Sequence, residues 1–202
     1  MSKPVKRVLV VVATQAEANW VRDILIRRIS LETLVAGVGM VATTFALTKR
    51  IAEQQSDLVL NIGIAGAFSD ELDIGDVVQV ATDRFIELGA EDGDNLIPAD
   101  VLGLLDTEDL LFISDVPVRQ LPAVVGCTVN RVHGNAQSIA KVKEQFSPDV
   151  ESMEGAAVGY VCWKMNVPWV QIRAISNRVE PRNKENWNIP LALENLKTEV
   201  TK

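Results

Sequence analysis

The chain has 202 residues, of which 48% are hydrophobic and 23% charged, and its formal net charge is −7 at pH 7. A chain of this length can bury roughly 70% of the surface that its unfolded form exposes, so one domain over residues 1–202 is expected, without a metal or disulfide for stability. The acidic balance and the absence of a Lys- or Arg-rich block exclude nucleic acid and membrane surfaces as expected partners.

Strands and helices are predicted to alternate along the chain. Near-continuous β-branched apolar runs, typical of strands covered on both faces, occupy residues 7–13, 33–38, 57–63, 75–81, 123–129 and 169–175. Helical periodicity fills the gaps, at residues 15–28, 40–54, 135–146, 154–165 and 187–199. This alternation predicts an α/β three-layer sandwich with a central, mostly parallel or mixed sheet, in which ligands bind at the carboxyl ends of strands.

Three further features bear on organisation and compartment. Residues 85–122 are the least periodic part and are interpreted as a surface excursion or lid. The apolar run that ends at Ala13 is followed by no cleavage-type segment, so it is interpreted as a first strand. Cys127 and Cys162 both lie in apolar runs, which indicates two buried thiols in a reducing compartment. A cytoplasmic protein is therefore expected.

One glycine pattern resembles a dinucleotide-binding fingerprint. Gly37, Gly39 and Ala42 form G-x-G-x-x-A between a predicted strand and helix. Such a site requires an acid at the end of the next strand, about 20 residues further on. Here Asp57 stands at the beginning of that strand. We therefore favour a tight turn with close helix packing, and we expect no cofactor.

Metal and serine-nucleophile chemistry are also disfavoured. His133 is the only histidine, and no clustered Asp pattern suited to Ca²⁺ or Mg²⁺ is present, so no metal site is expected. His133 itself follows a strand in NRVHGN, where it is either structural or faces a ligand. Ser152 and Ser176 have no His/Asp partners at a recognisable spacing, which argues against a catalytic triad.

The remaining polar groups stand where strands end. Glu17 follows the first strand, Glu154 begins a helix after the strand-like PDVESM, and Asn177 follows the last strand. Each alone has a structural interpretation, as a helix cap or first-turn acid worth about 0.5–2 kcal/mol. Three such groups at the exits of one sheet would nevertheless converge on one cleft, and their joint occurrence favours a binding site.

Six stretches carry a resemblance to a known superfamily. They are VVATQAEANW, GVGMVATTFAL, SDLVLNIGIAGAF, DIGDVVQVATDRF, ESMEGAAVGYVC and VQIRAISN. In order and spacing they resemble the nucleoside phosphorylase and nucleosidase superfamily, close to the methylthioadenosine/S-adenosylhomocysteine nucleosidases, over nearly the whole chain. Within it, DRFIELGAEDG, ESMEGAA and ISNRVEPRNKENWNIPLA resemble the futalosine hydrolases, which release hypoxanthine from futalosine on an alternative route to menaquinone.

The resemblance implies hydrolysis of an N-ribosidic bond through an oxocarbenium-like sugar. In this family a carboxylate matching Glu17 orients and deprotonates the attacking water. Glu154 matches the glutamate that accepts hydrogen bonds from the 2′- and 3′-hydroxyls of the ribose, and Met153 matches a residue packed on the ribose face. Glu151 is then not the sugar anchor but a structural or solvent-facing charge.

The base side is also implied by the resemblance. Arg173, Ser176 and Asn177 match the strand end that binds the purine, and Val132 and His133 match positions that pack near it. The segment IAG matches a loop whose backbone approaches sugar and base, where small residues permit close contact. Its three residues are Ile64, Ala65 and Gly66.

Asn177 departs from the adenosine-type nucleosidases, which have an aspartic acid at this position. An amide cannot donate the acid's proton to N7, but it can accept from a protonated N7 and donate an N–H to a 6-oxo group. Asn177 therefore favours hypoxanthine over adenine as the released base.

Three alternatives stay open. A methylthioadenosine/S-adenosylhomocysteine-type nucleosidase would share the chemistry, whereas a 6-oxopurine nucleoside phosphorylase would need a phosphate-binding turn after the first strand, for which ATQAEANW supplies no Gly and no Arg. A nucleoside-binding module without activity is the non-enzymatic alternative.

The resemblance also implies a homo-oligomer, a dimer or larger. The cation for the 5′ benzoate of futalosine is left open among Arg84, Arg131, Arg178 and Arg182.

Overall fold

The computed structural model describes residues 7–21, 30–114 and 116–201. The strands found there are β1 (Arg7–Val12), β2 (Ser30–Val35), β3 (Leu58–Ala67), β4 (Val77–Phe85), β5 (Gly89–Asp92), β6 (Asn95–Pro98), β7 (Leu111–Ile113), β8 (Ala123–Thr128), β9 (Val150–Ser152) and β10 (Trp169–Arg178). The α-helices are α1 (Gln15–Val21), α2 (Met40–Glu53), α3 (Ala136–Phe146), α4 (Gly155–Lys164) and α5 (Ile189–Val200). The predicted helix 15–28 is thus described up to residue 21, and its remainder lies outside the described residues.

The central sheet is mixed, as predicted. Strand β1 lies between β2 and β3 and is parallel to both, and β3 is parallel to β10. Strand β4 runs antiparallel to β10 and parallel to β8, and β9 runs parallel to β8. The sheet therefore contains both kinds of pairing.

The sheet does not lie flat, which corrects the prediction of a simple three-layer sandwich. Strand β9 returns to β3 and pairs antiparallel with Gly66 and Ala67. The strands β3, β10, β4, β8 and β9 consequently form a closed five-stranded ring, from which β1 and β2 extend. Register shifts in β4, between Val80 and Thr82, and in β10, between Ile175 and Asn177, mark bulges of the kind that bend strands. Closure leaves β3 without a free edge at its carboxyl end.

Both faces of the extended part of the sheet are covered, and this explains its continuous apolar runs. Alternate residues of β1 point to opposite faces. Val8, Val10 and Val12 pack in one buried cluster with Leu193 and Leu196 of α5. Leu9 and Val11 pack in another cluster, with side chains of α2 and α4. The three-layer arrangement thus holds on this side of the fold.

A third apolar cluster fills the ring. Every strand of the ring contributes at least one buried side chain to it, as expected for a small barrel whose interior is packed. Its members are Ala65, Ala67, Leu72, Val78, Val80, Val124, Val150 and Ile175. This packing holds the carboxyl ends of β3 and β10 in fixed positions.

Residues 85–122 contain more structure than predicted. Strands β5 and β6 form a separate hairpin with largely exposed side chains, which agrees with a surface excursion. Strand β7 joins the main sheet by pairing with β4, and a role as a lid stays a prediction. Cys127 and Cys162 are free and buried, as predicted. No helix among the described residues is both long enough and apolar enough to cross a membrane.

Candidate active site

Glu17 has one carboxylate oxygen in structural contacts and one with no hydrogen bond from the described residues. Its Oε2 accepts hydrogen bonds from Ala13 N (3.1 Å), Thr14 N (2.9 Å) and Thr14 Oγ1 (2.9 Å). Thr14 Oγ1 in turn accepts from Glu17 N at 3.3 Å, so the two residues form a capping box at the start of α1. The other oxygen, Oε1, lies over Gly63, at 2.8 Å from where a Cβ on that glycine would stand. The cap interpretation of Glu17 is correct for one oxygen only.

Glu154 does not cap its own helix. It occupies the N-cap position of α4, but its side chain makes no cap hydrogen bond there. Instead, Oε1 accepts from the backbone N–H of Gly39, 115 positions away in the chain, at 2.9 Å. The helix-cap alternative is therefore wrong for Glu154.

Two glycines of the G-x-G-x-x-A pattern shape the turn before α2. Gly39 has a φ of 90°, in the left-handed region that favours glycine, and it presents its N–H to Glu154. Gly37 has a φ of 91°, and a Cβ added to it would stand 3.0 Å from Cβ of Ala42. The pattern thus forms the tight, closely packed turn that we favoured, and it supplies a donor to the site.

Arg173 lies next to Glu17 over Gly63, and its charge acts on Glu154. It is 2% exposed, and its Nη2 donates to Oδ1 of Asn61 at 2.6 Å. Its Nη1 lies over Gly63, as Glu17 does, at 2.5 Å from a Cβ built on that glycine. Glycine at this position is consequently needed to admit both charged groups. Nε of Arg173 has no hydrogen-bond partner among the described residues.

The charges of these groups affect one another. Burial raises the pKa of Glu154, while the positive charge of Arg173 and the hydrogen bond from Gly39 lower it and the negative charge of Glu17 raises it further. Such mutual effects require the three side chains to be close. Glu17 and Arg173 thus meet over Gly63, and the charges of both act on Glu154. Arg173 stands in the middle of β10, whereas the two acids follow the carboxyl ends of β1 and β9, as the strand-end pattern predicted.

Asn177 and Ser176 lie further along β10. Ser176 Oγ donates to Oδ1 of Asn177 at 2.8 Å, and the same Oγ lies 3.3 Å from the carbonyl oxygen of Ala65. Asn177 Nδ2 donates to the carbonyl of Arg178 at 2.9 Å and packs against Gly66, its partner in the sheet register. The assigned hydrogen bonds use one lone pair of Oδ1 and one of the two Nδ2 hydrogens, so the amide can still accept and donate once each.

The segment of Ile64, Ala65 and Gly66 is not a loop, which corrects that part of the prediction. All three residues belong to β3, which continues to Ala67 because β10 pairs along one edge and β9 closes the ring on the other. Gly63 and Gly66 are three residues apart, so the Glu17 side and the Asn177 side are separated by about 10 Å along β3. Contact of this backbone with a ligand stays a prediction.

Glu151 is buried, which excludes the solvent-facing alternative and supports the structural one. It is 3% exposed, and its two oxygens interact with His133, Oε1 with the backbone N–H at 3.0 Å and Oε2 with Nδ1 at 2.7 Å. The ring of Phe68 stands 6.1 Å from that of His133. Glu151 thus fixes the orientation of His133, whose role toward a purine stays a prediction.

Two apolar site residues are half-buried. Met153 directly precedes Glu154, and Val132 packs against the buried cluster that contains Phe68 and Cys127. Both positions are compatible with contact to a ligand, and neither is tested by the structure.

Two of the four arginines considered for an anionic substituent are engaged elsewhere. The guanidinium of Arg84 lies 4.9 Å from the ring centre of Phe146. Arg178 donates from Nη2 to Asp73 at 3.1 Å and from Nη1 to the Ser69 carbonyl at 2.6 Å. Arg131 is exposed. No hydrogen bond or ion pair of the Arg131 guanidinium is found within the described part of the chain.

Arg182 begins a segment whose two ends form backbone hydrogen bonds close to the residues predicted to bind the purine. Its backbone N–H donates to the carbonyl of Gly134 at 3.0 Å, and that of Asn188 donates to Ser176 at 2.8 Å. Its guanidinium lies 5.7 Å from the ring centre of Trp187. The segment from Arg182 to Asn188 is thus joined by backbone hydrogen bonds both to Gly134, the residue after His133, and to Ser176.

Sequence reasoning missed several residues of the site. Asn61 and Gly63 were not singled out, and Gly39 was considered only as part of a tight turn, although each makes or permits a contact to one of the charged groups. Asn61 had a detectable signal, since it is a polar residue inside the apolar run of β3. Within residues 7–21, 30–114 and 116–201, no group of three or more His, Cys, Asp or Glu side chains could hold a metal ion.

Comparison with known proteins places this geometry in context. The family model described as the phosphorylase superfamily matches residues 31–202. Futalosine hydrolase from Acidothermus cellulolyticus is 32% identical over 178 residues, covering 82% of this chain and 71% of the relative. A 5′-methylthioadenosine/S-adenosylhomocysteine nucleosidase from Haemophilus ducreyi is 28% identical over 173 residues, covering 80% and 74%.

A solved structure supports the fold independently. Futalosine hydrolase of Helicobacter pylori superimposes with a TM-score of 0.83 at 15% identity, covering 97% of this chain and 96% of that one. At this low identity the similarity concerns the fold alone.

Proposed function

Because this chain belongs to the phosphorylase superfamily and its curated relatives include nucleosidases, we propose that it hydrolyses the N-ribosidic bond of futalosine and releases hypoxanthine. The observation that supports the hydrolytic part is the pair of carboxylates, Glu17 and Glu154, which follow the ends of two strands and both lie near the charge of Arg173. A reaction that attacks the anomeric carbon while it acquires positive charge needs a base for water and an anchor for the sugar.

Glu17 is the proposed base. Its Oε2 is fixed by three donors, so the carboxylate keeps one orientation while Oε1 remains able to accept a proton from water. The oxygen of that water forms the new bond to C1′ as the bond from C1′ to the purine breaks, and the electron pair leaves with the base. Fixing the carboxylate before the substrate arrives lowers the entropic cost of reaching the reactive geometry.

Glu154 is the proposed sugar anchor. Gly39 occupies one site on Oε1, and the remaining lone pairs of the carboxylate can accept from both ribose hydroxyls. Hydrogen bonds to an ionised acceptor are stronger than neutral ones. The negative charge of Glu154 also favours the cationic sugar of the transition state.

Hydrolysis is favoured over phosphorolysis by the turn that follows β1. In a phosphorylase this turn would have to bind an anion through its N–H groups. Here the N–H groups of Ala13 and Thr14 already donate to Glu17. A phosphate at this turn would also meet the negative charge of that carboxylate.

Two expectations accompany the proposal. The amide of Asn177 supports hypoxanthine over adenine, although the Haemophilus ducreyi relative keeps methylthioadenosine/S-adenosylhomocysteine nucleosidase as the second candidate.

A homo-oligomer is also proposed, supported by the exposed apolar side chains of Val38, Val41 and Phe45 beside the start of α2, close to the Gly39 contact with Glu154.

We expect futalosine to be cleaved to hypoxanthine at the same rate with and without phosphate. The protein is incubated with futalosine, inosine, adenosine and methylthioadenosine, and the released base and sugar are separated by chromatography. A strict phosphate requirement, or ribose-1-phosphate-type products, would exclude hydrolysis. Preferential cleavage of methylthioadenosine would favour the second candidate, and release of no base from any substrate would favour a binding module.

The substitution Asn177→Asp is expected to shift base selection. An ionised carboxylate cannot donate to O6, and leaving that acceptor unpaired costs about 1–3 kcal/mol, so hypoxanthine release should fall. For a 6-amino analogue of futalosine, the new carboxylate supplies an acceptor for the amino group, so its rate relative to that of futalosine should rise. The measured quantity is the ratio of kcat/KM for the two substrates. An unchanged ratio in a folded variant would mean that Asn177 does not read the base.

A further inference from the structure

A buried polar cluster lies beneath the start of α4, outside the groups assigned to the reaction. Asp83 of β4 and Thr128 of β8 are fully buried, and Gln171 of β10 is 1% exposed. Thr128 Oγ1 donates to Oδ1 of Asp83 at 3.0 Å, and Gln171 Nε2 donates to Oδ2 at 3.0 Å. Burying a carboxylate is costly unless it is hydrogen-bonded and its charge is compensated.

The cluster contacts the first turn of α4 directly. Thr128 Oγ1 accepts from the backbone N–H of Ala156 at 2.7 Å. This N–H is one of those that a helix leaves without an internal partner. A Cβ on Gly155 would stand 2.1 Å from Oδ2 of Asp83, so the helix can rest on the carboxylate only because that position is glycine. Glu154 directly precedes these two residues.

The charge of Asp83 is balanced from inside the ring. Burial raises the pKa of this carboxyl to about 6, while the hydrogen bonds from Gln171 and Thr128 and the positive charge of Arg173 lower it. The neighbouring thiol of Cys127 has its own pKa raised well above its usual value, chiefly by burial and further by the charge of Asp83. The positive charge of Arg173 therefore acts on Asp83 as well as on Glu154.

We propose that the Asp83–Thr128 pair positions Glu154, by fixing the first turn of α4 through the Ala156 N–H. The pair acts as a positioning device and does not touch the substrate. This inference rests on the proposed role of Glu154 as the ribose anchor. It extends that role by naming what sets the position of the carboxylate relative to the sugar.

The hydroxyl of Thr128 is the link that can be removed with the least change of shape. Thr128→Val is close in size but leaves the Ala156 N–H and Oδ1 of Asp83 without their partner. Thr128→Ser keeps the hydroxyl. Ser114→Ala is the matched control, since Ser114 is also buried and its Oγ donates at 2.7 Å to the carbonyl of Trp169 on β10, not to an N–H of α4.

The informative readout is discrimination between a ribonucleoside and its 2′-deoxy counterpart, because Glu154 is proposed to hold the 2′-hydroxyl. A displacement of about 1 Å can cost on the order of 10²-fold in rate. We therefore expect Thr128→Val to lower kcat/KM for the ribonucleoside roughly 10- to 100-fold. The 2′-deoxy substrate keeps only the 3′-hydroxyl contact with Glu154, so its kcat/KM should fall by a smaller factor and the ratio of the two values should decrease. Thr128→Ser and Ser114→Ala should keep the wild-type ratio.

Each outcome separates the possible explanations. If folded Thr128→Val retains the ratio, or if Ser114→Ala changes it equally, the pair does not position Glu154. Should Thr128→Val fail to fold, Thr128→Cys, with a weakly hydrogen-bonding thiol, is scored by the same criterion. If the wild-type protein cleaves no nucleoside, the proposed function fails first, whereas a cleaving wild type with an unmoved ratio contradicts only this inference.

Discussion

Turnover of the Glu17→Gln variant is expected to be roughly 10²- to 10⁴-fold lower than that of the wild-type protein, with the fold retained. The glutamine carbonyl can take the place of Oε2 and accept from Ala13 and Thr14, so the capping box at α1 survives. Its NH₂ group then occupies the position of Oε1 above Gly63. An amide cannot take a proton from water, so the chemical step loses its base.

The control for this experiment is a carboxylate removed elsewhere. Glu53→Gln alters an exposed acid at the end of α2 and should leave turnover within about twofold, as surface substitutions usually have small effects. Circular dichroism and urea unfolding establish that both variants are folded. Near-normal turnover of folded Glu17→Gln would remove Glu17 from the mechanism.

The Glu154→Gln variant is expected to lose both substrate binding and turnover. One amide oxygen already engaged with Gly39 cannot accept from two ribose hydroxyls as a carboxylate does. A hydrogen bond to a charged group is worth about 1.5–3 kcal/mol, so each lost bond corresponds to roughly 10- to 100-fold in kcat/KM. Steady-state kinetics on the ribonucleoside measure the loss. Unchanged kinetics would mean that Glu154 serves only its contact with Gly39.

The same variant has an expected dependence on pH. Burial raises the pKa of Glu154, so wild-type activity should fall on acidification at a higher pH than an exposed glutamate would cause. A raised carboxyl pKa also means that the stability contribution present at low pH is lost as the pH rises through the folded-state pKa. The glutamine variant should therefore be at least as stable as wild type at neutral pH, with the difference vanishing at acidic pH. Urea unfolding at several pH values tests this sign.

Local patterns in the sequence determined much of the fold and part of the site. The run of residues 7–13 predicted a strand covered on both faces, and β1 is packed by α5 on one face and by α2 and α4 on the other. Glu17 and Glu154 were identified as candidate site residues because an acid is not expected at the end of a buried strand unless it has a structural or functional role there. These signals are local, since burial periodicity and strand ends are encoded within a few neighbouring residues.

Contacts between distant segments were decided only by the tertiary structure. The ring closes through β9, a strand of three residues that is too short to have a period of its own. Residues 64–66 are a strand instead of a loop because β10 pairs along one edge of β3 and β9 pairs with its end on the other. Glu151 was not recognised as the buried partner of His133, because a single acid beside a strand gives no indication of its burial.

The charges and hydrogen bonds of the site were likewise decided only by contacts between distant segments. The donor to Glu154 comes from Gly39, 115 positions earlier, and the support of α4 comes from Asp83 and Thr128 on two other strands. In the sequence, these positions could be recognised only as polar residues or glycines within or beside apolar runs. The amino-acid order therefore determined which residue types stand at the strand ends, whereas closure of the ring decided which of them meet, because hydrogen bonds between distant segments form only once the strands are packed.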